Sequence, residues 1–302
     1  MRSSDLTLRK LEVFVAVAKK GSMTDAANEL KMSQPAVSMA ISGLEETLNE
    51  VLFDRAGGRI RLNEKGKAFL PRILDLLAHL EDIQGDLGDG DGGLSGSLHV
   101  GASRTVSSYL MPPVLQGFAE RNPDVRLVME VGNAQNIIDR MERYEIDAGF
   151  VAGYCHSPDI AKIRWGTDQL CVVAAPDCHP GNGGSVTAET LEKQPWILRE
   201  QGSNTREVFE HALEPCGVNL RVRMELALNE AVKRAAEAGL GWACLSRSAV
   251  HKEIAEGQLV EVPVPFLTLE RHFYILVHQE VRLPRALKQF VRFAREHEAV
   301  PG

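Results

Sequence analysis

No stretch of this 302-residue chain approaches the ~20 apolar residues that a bilayer-spanning helix needs, and its opening, MRSSDLTLRK, lacks the apolar core of an export signal. The cytoplasm is the expected compartment, with no membrane partner. A surplus of positive charge is missing too. Lys and Arg number 34 against 41 Asp and Glu, a net charge of −7, which excludes a uniformly basic coat for nucleic acid but leaves room for a local basic patch. Cysteine is sparse. Cys155, Cys171, Cys178, Cys216 and Cys244 are odd in number and scattered, without a CxxC or any metal-ligand spacing, so reduced thiols and no metal are expected. Signatures of catalysis are absent as well: no GxSxG, no HExxH and no phosphate-cradling glycine loop between strand and helix, while the nine histidines are dispersed. The expectation is a protein that is not an enzyme, with no catalytic residues and no cofactor.

With 44% apolar residues the chain can bury a sizeable core, and its length suggests about two domains. The most informative stretch is 22–48, SMTDAANELKMSQPAVSMAISGLEETL. Ala26, Ala27 and Leu30 fall at helical spacing, and Val37, Ile41, Leu44 and Leu48 recur every three or four residues as one buried stripe. Ser33 is a good N-cap, and Pro35 is tolerated because a first-turn N–H has no intrahelical partner. Two helices joined by a tight turn and crossing at a small Ala-Ala pair are the build of a helix-turn-helix, whose second helix enters the major groove of DNA. Residues 8–20 form an amphipathic helix that covers this pair. Residues 51–62 read as two short strands around Gly57-Gly58, a hairpin wing carrying Arg55, Arg59 and Arg61 beside the recognition helix.

Leu11-Glu12-Val13-Phe14, Gly21-Ser22-Met23-Thr24, Ala26-Ala27, Ser33-Gln34-Pro35-Ala36-Val37-Ser38, Leu44-Glu45, Leu52-Phe53 and Arg55 together resemble the amino-terminal signature of LysR-type transcriptional regulators. The likeness runs without a gap over roughly the first 65 residues. Asn49 replaces the family's usual Gly and Asn63 its usual Thr; Asn tolerates the left-handed conformation and caps helices, so both fit the fold. Under this reading 1–63 is a winged helix-turn-helix domain that binds double-stranded promoter DNA. Gln34 meets a base edge near Pro35, and Ser33, Ser38, Arg55 and Arg59 meet phosphates.

Residues 64–87 carry Leu70, Ile73, Leu77, Leu80 and Leu87 at three- and four-residue steps. A helix this long wants a partner for its seam, either the protein's own core or a second chain. The resemblance implies the second: a linker helix that pairs two subunits into a homodimer or homotetramer. GDGDGGLSGS, 88–97, is a flexible hinge by composition and lacks the ordered Asp spacing of a calcium loop.

From 98 to 302 apolar strands alternate with helices, which argues an α/β fold with parallel sheets. The fold class expected is α/β preceded by the helix-rich winged domain. The resemblance implies an effector domain of two α/β lobes, similar to a type 2 periplasmic binding protein, with lobe I at about 98–166 and 267–302 and lobe II at about 167–266. Ligands in such sheets bind beyond the carboxyl ends of strands. Ser103, Arg104 and Thr105, then Asn133, then Ser203, Asn204 and Thr205 stand at such points. Each is also an ordinary helix cap, and their convergence on one cleft would mark a small-molecule or inorganic anion site without a fixed opposite charge. Asn229-Glu230-Ala231 would start a helix near it.

Two function classes follow: a regulator of transcription that responds to an effector, with RNA polymerase as a further partner, or an α/β binding or catalytic protein with an accessory protein-binding module. A thiol-based redox sensor is a variant of the first.

Overall fold

The computed structural model describes residues 5–56, 59–87, 93–153, 155–178, 186–279 and 281–297. The Gly57-Gly58 turn, the hinge residues 88–92 and the side chains of Arg59 and Leu87 lie outside the described residues.

Helices α1 (Leu8–Lys20), α2 (Met23–Glu29) and α3 (Gln34–Leu48) are set by their caps. Thr7, Ser22 and Ser33 each accept a hydrogen bond from a backbone N–H three residues on. Asn49 ends α3 in the left-handed region at φ 54°, the role expected of it. Strands β1 (Phe53–Ala56) and β2 (Arg59–Leu62) form the antiparallel wing. Asn63 caps the linker helix α4 (Glu64–Leu87) through Gly66 N→Asn63 Oδ1 at 2.9 Å.

Val13, Phe14, Ala26, Ala27, Val37, Ile41 and Leu44 meet in one core, where Phe14 touches Phe53 and Phe69 at 5.4 and 5.3 Å between centroids. Leu70 and Ile73 are buried in that same core. This corrects the seam expected from the sequence: the winged domain of the same chain covers its first half, with Leu77 half-buried against it. Leu80 is half-buried, and among the described side chains of α4 the large apolar ones left exposed are Leu76 and Ile83.

Beyond the hinge come β3 (Gly96–Ser103), α5 (Arg104–Tyr109), α6 (Met111–Arg121), β4 (Val125–Gly132), α7 (Ala134–Glu142), β5 (Ala148–Ala152) and β6 (Ile160–Ala174). α5 and α6 meet at Leu110 and do not run on as one helix, because Pro112-Pro113 can only open a new helix. There follow α8 (Ala188–Lys193), β7 (Pro195–Arg199), α9 (Asn204–Leu213), β8 (Arg221–Leu226), α10 (Asn229–Glu237), β9 (Trp242–Ser246), α11 (Arg247–Ala255), β10 (Val260–Val262), β11 (Glu270–His278) and α12 (Arg285–Glu296).

The first lobe has strand order β4-β3-β5-β11-β6 and the second β6-β9-β7-β8, with β10 beside β6. Only part of the expected parallel pairing is present. β3 runs parallel to β4 and β5, and β7 to β8 and β9, whereas β11 and β6 are antiparallel to their neighbours. The reason is β6 itself. At 15 residues it passes through both lobes, and only its end, 170–174, is a continuous apolar run. β11 and α12 return to the first lobe, where Phe290 and Phe293 pack edge-on against Phe118 at 4.9 and 5.8 Å. Trp196 anchors the second lobe against Phe209 and Trp242.

The winged domain rests directly on the first lobe. Lys19 Nζ lies 2.8 Å from Asp147 Oδ1, and Tyr144 packs against the winged-domain core. On α4, Asp75 accepts from Arg282 N at 3.1 Å and Asp82 from Arg282 Nε at 2.8 Å.

Candidate functional site: a closed cleft between lobes and an exposed recognition helix

β3, β4 and β7 end at one point, and the loops after them start α5, α7 and α9 there. Ser103, Arg104, Thr105, Asn133, Ser203, Asn204 and Thr205 all line one small cleft, joined by Ala134, Ala152, Arg199 and Arg271. The cavity is about 10 Å³, roughly the room a single water needs. The lobes are closed on each other across it. Arg104 of α5 pairs with Glu200, Asn133 Nδ2 donates to Gln201 O at 3.3 Å, and Asn229 Nδ2 donates to Thr105 Oγ1 at 3.3 Å. Two glycines permit this approach. Gly153 has φ +82°, and a Cβ there would fall 1.9 Å from the Asn204 amide; Gly202, at φ +76°, would meet Asn133 Nδ2 at 3.1 Å.

Capping accounts for some of these residues and not others. Asn133 forms a full capping box with Asn136, so its carbonyl oxygen is committed to the helix. Ser103 and Ser203 make no cap hydrogen bond, and Ser103 Oγ is buried with no partner. Asn204 Oδ1 is equally buried and unpartnered. A buried polar atom without a partner costs about 1–3 kcal/mol, so these two atoms favour an occupant that satisfies them.

The cleft carries more fixed positive charge than the expected Arg104. Arg199 closes β7 and Arg271 opens β11, both buried to within a few per cent. Arg271 holds Asp168 through Nε at 2.7 Å and Nη2 at 2.6 Å, and donates Nη1 to Thr205 Oγ1 at 2.9 Å. Asp168 is also bonded by Ser246 Oγ at 2.8 Å. Arg199 holds Glu200 through Nε at 2.9 Å and Nη2 at 3.2 Å, and donates to Asn229 Oδ1. Burial pushes the Arg199 guanidinium below its ordinary value, opposed by the adjacent Glu200, yet a guanidinium keeps its proton. Three guanidinium groups, of Arg104, Arg199 and Arg271, face two paired carboxylates, of Glu200 and Asp168, so one positive charge is left over among these ion pairs, while the exposed Glu207 accepts from Asn204 Nδ2 at 3.4 Å at the rim. Arg206 adds nothing to the balance, because it turns away to Glu210 and Glu225.

Sequence reading passed over Arg199 and Arg271. A signal existed, since each charged residue ends or begins an apolar strand at the edge where ligands bind. Asn229 was placed near the cleft, and it joins Arg199 to Thr105.

Two of the thiols, Cys171 and Cys244, are held in an unreactive form. Burial pushes Cys171 up to about 12 and Cys244 well above its ordinary value, so both stay protonated at neutral pH, and the thiol is the unreactive form.

At the other end of the molecule, α3 projects its first turn outward. Gln34 and Pro35 are exposed and Ser38 is half-buried, while Ser33 uses its hydroxyl to accept from Ala36 N at 3.4 Å. The Gln34 side chain makes a loose 3.9 Å contact of Nε2 with Met23 Sδ. Arg55 is 53% exposed, 3.8 Å from Glu45, whose other oxygen accepts from Leu52 N at 2.8 Å and so ties the wing to α3.

Comparison with known proteins agrees with both ends. Residues 8–67 match the family described as "Bacterial regulatory helix-turn-helix protein, lysR family", and residues 91–299 match "LysR substrate binding domain". The chain is 38% identical to the HTH-type transcriptional regulator YeiE of Escherichia coli K12 over 95% of its own length and 97% of that protein's. It is 33% identical to a RuBisCO operon transcriptional regulator of Acidithiobacillus ferrooxidans, over 95% and 93% of the two chains. Full-length OxyR from Pseudomonas aeruginosa shares the fold, with TM-score 0.77, 23% identity and coverage of 96% and 95%. The regulatory domain of CcmR from Synechocystis PCC6803, solved in complex with 2-PG, covers 67% of this chain and 97% of that one, with TM-score 0.62 and 26% identity. No helix among the described residues is long and apolar enough to cross a membrane. The chain belongs to the LysR family of transcriptional regulators, a DNA-binding helix-turn-helix domain joined to an effector-binding domain.

Proposed function

We propose that this regulator binds promoter DNA through α3 and the wing, and that a small anion held between the two effector lobes alters that binding. It works by binding alone, without a catalytic step. The observation that carries the reading is the cleft's leftover positive charge beside the unpartnered Ser103 Oγ. A carboxylate or an inorganic oxyanion would accept from Ser103, Ser203 and Thr205 and from the first two N–H groups of α9, those of Asn204 and Thr205, since Arg206 N already donates to Ser203 O at 3.0 Å. Because Arg271 and Arg199 are each partly neutralised by a carboxylate, the anion is held and also released. The CcmR domain in complex with 2-PG supports a small-molecule effector for this kind of domain. The closed cleft is far smaller than any such ligand, so entry requires the lobes to part and reclose.

DNA titration with promoter fragments and random duplex tests the first half of the reading. Binding should prefer one sequence and should weaken steeply between about 50 and about 200 mM salt. Gln34→Ala should cost on the order of 1–3 kcal/mol on the preferred site alone. Arg55→Ala should weaken both duplexes alike and lower the salt slope by about one. Equal loss on both duplexes for Gln34→Ala would remove Gln34 from base readout.

A further inference from the structure

Met39 is 76% exposed, more than any other of the exposed large apolar side chains among the described residues. It lies on α3, two residues from Val37 on one side and from Ile41 on the other, both fully buried. At 100° per residue, two steps carry a side chain about 200° round the helix, so Met39 stands on the face opposite the core. The winged-domain core is complete without it: neither its buried residues nor the apolar residues packed on them include Met39. The rest of that face is small, polar or acidic, with Pro35 one turn before, then Ser42 and Glu46. An unbranched thioether kept in water at the centre of a recognition helix is available for something apolar that the chain itself does not provide.

In the major groove, the apolar group that base edges present is the 5-methyl of thymine. Methionine has no cation for a phosphate and no N–H or O–H for the acceptors of a purine edge. Its three rotatable bonds let it follow a methyl group across a groove. We infer that Met39 is a specificity-determining residue that reads a thymine methyl in the operator. The inference rests on the proposal that α3 binds DNA, and it adds an apolar readout to the polar one assigned to Gln34.

The test uses the full-length chain and a duplex selected by it from a random library. Each thymine of that duplex is replaced singly by deoxyuridine, which pairs identically and lacks only the methyl. One replacement should weaken wild-type binding about fourfold, the equivalent of about 0.8 kcal/mol for a buried methyl. The same replacement should have no effect on Met39→Ala, which is a surface change and should melt at the wild-type temperature. Wild-type binding indifferent to every deoxyuridine overturns the inference, as does a uridine penalty that persists in Met39→Ala. So does a change in oligomer size of Met39→Ala without DNA, which would make the side chain a protein contact. If selection yields no preferred sequence at all, the reading of α3 as a DNA-binding helix fails first, and the two failures are told apart.

Discussion

His278 lies face to face on Tyr144, with ring centroids 4.1 Å apart and planes 9° apart. The pair sits where the winged domain meets the first lobe, and it closes a mechanical path. β11 begins at the cleft, where Arg271 holds Asp168 and Thr205, and ends at His278, roughly 23 Å away at about 3.3 Å per residue. β5 runs antiparallel beside it, with Ala152 in the cleft and Asp147, just before its start, holding Lys19 of α1. Two paired strands thus have one end at the effector cleft and the other under the DNA-binding domain.

The dock should be sensitive to acid. Burial, and secondarily the charge of Lys19, lowers His278 to about 4, while Asp147 and Asp159 oppose the shift. With a folded value below the unfolded 6.5, the stabilising contribution is complete above pH 6.5. It is lost as pH falls from there towards 4, since the unfolded chain takes up a proton that the folded one refuses. The loss is about 2 kcal/mol at pH 5 and about 3 kcal/mol in full. His278→Phe keeps the stack and removes the titration. Its melting temperature should fall less than the wild type's between pH 7 and pH 5; an equal fall would place the acid sensitivity elsewhere.

Gly153→Ala should uncouple the cleft from its ligand. The new Cβ is strained at φ +82° and collides with Asn204, so stability should drop by about 1–2 kcal/mol and the lobes should be held apart. An anion that raises the melting temperature of the wild type should then leave the variant unmoved, while DNA binding without the anion persists. A full thermal shift in the variant would mean that closure at Gly153 is not needed for binding.

The linker helix now divides into two tests. Leu70 is fully buried in the chain's own core, so Leu70→Ala should destabilise by about 2–5 kcal/mol and leave the subunit number unchanged. Leu76 and Ile83, both 43% exposed, are the large apolar groups left for a second chain among the described side chains of α4. Leu76→Asp with Ile83→Asp should reduce the particle size by light scattering without lowering the melting temperature of the winged domain. An unchanged size would place the subunit contact elsewhere.

The parts legible in the sequence were those with local grammar. Ser33 announced the start of α3, Val37, Ile41 and Leu44 its buried stripe, and Asn49 its left-handed end. The polar residues after β3, β4 and β7 marked the cleft because strand ends and helix starts are written consecutively. What stayed illegible depended on distant segments. Leu70 and Ile73 fit a seam between subunits as well as they fit an internal core; only the position of the winged domain decides. The first half of β6 does alternate, with Ala161, Ile163 and Trp165 against Lys162 and Arg164, but its pairing with β11 a hundred residues later is not written locally. Glu200 follows Arg199 directly in the sequence, but Arg271 meets Asp168 only because β11 pairs with β6, and no local spacing predicts that.

The central claim is that occupancy of the cleft and of the operator are thermodynamically linked, and calorimetry of the anion with and without saturating operator DNA measures it directly. A ligand that prefers one arrangement of the lobes tenfold shifts the balance by about 1.4 kcal/mol, and linkage requires DNA to change the anion's Kd by the same factor that the anion changes the operator's. Two Kd values that differ by that shared factor are the predicted result. Identical Kd values would contradict the account and leave a DNA-binding protein whose cleft does not report to it.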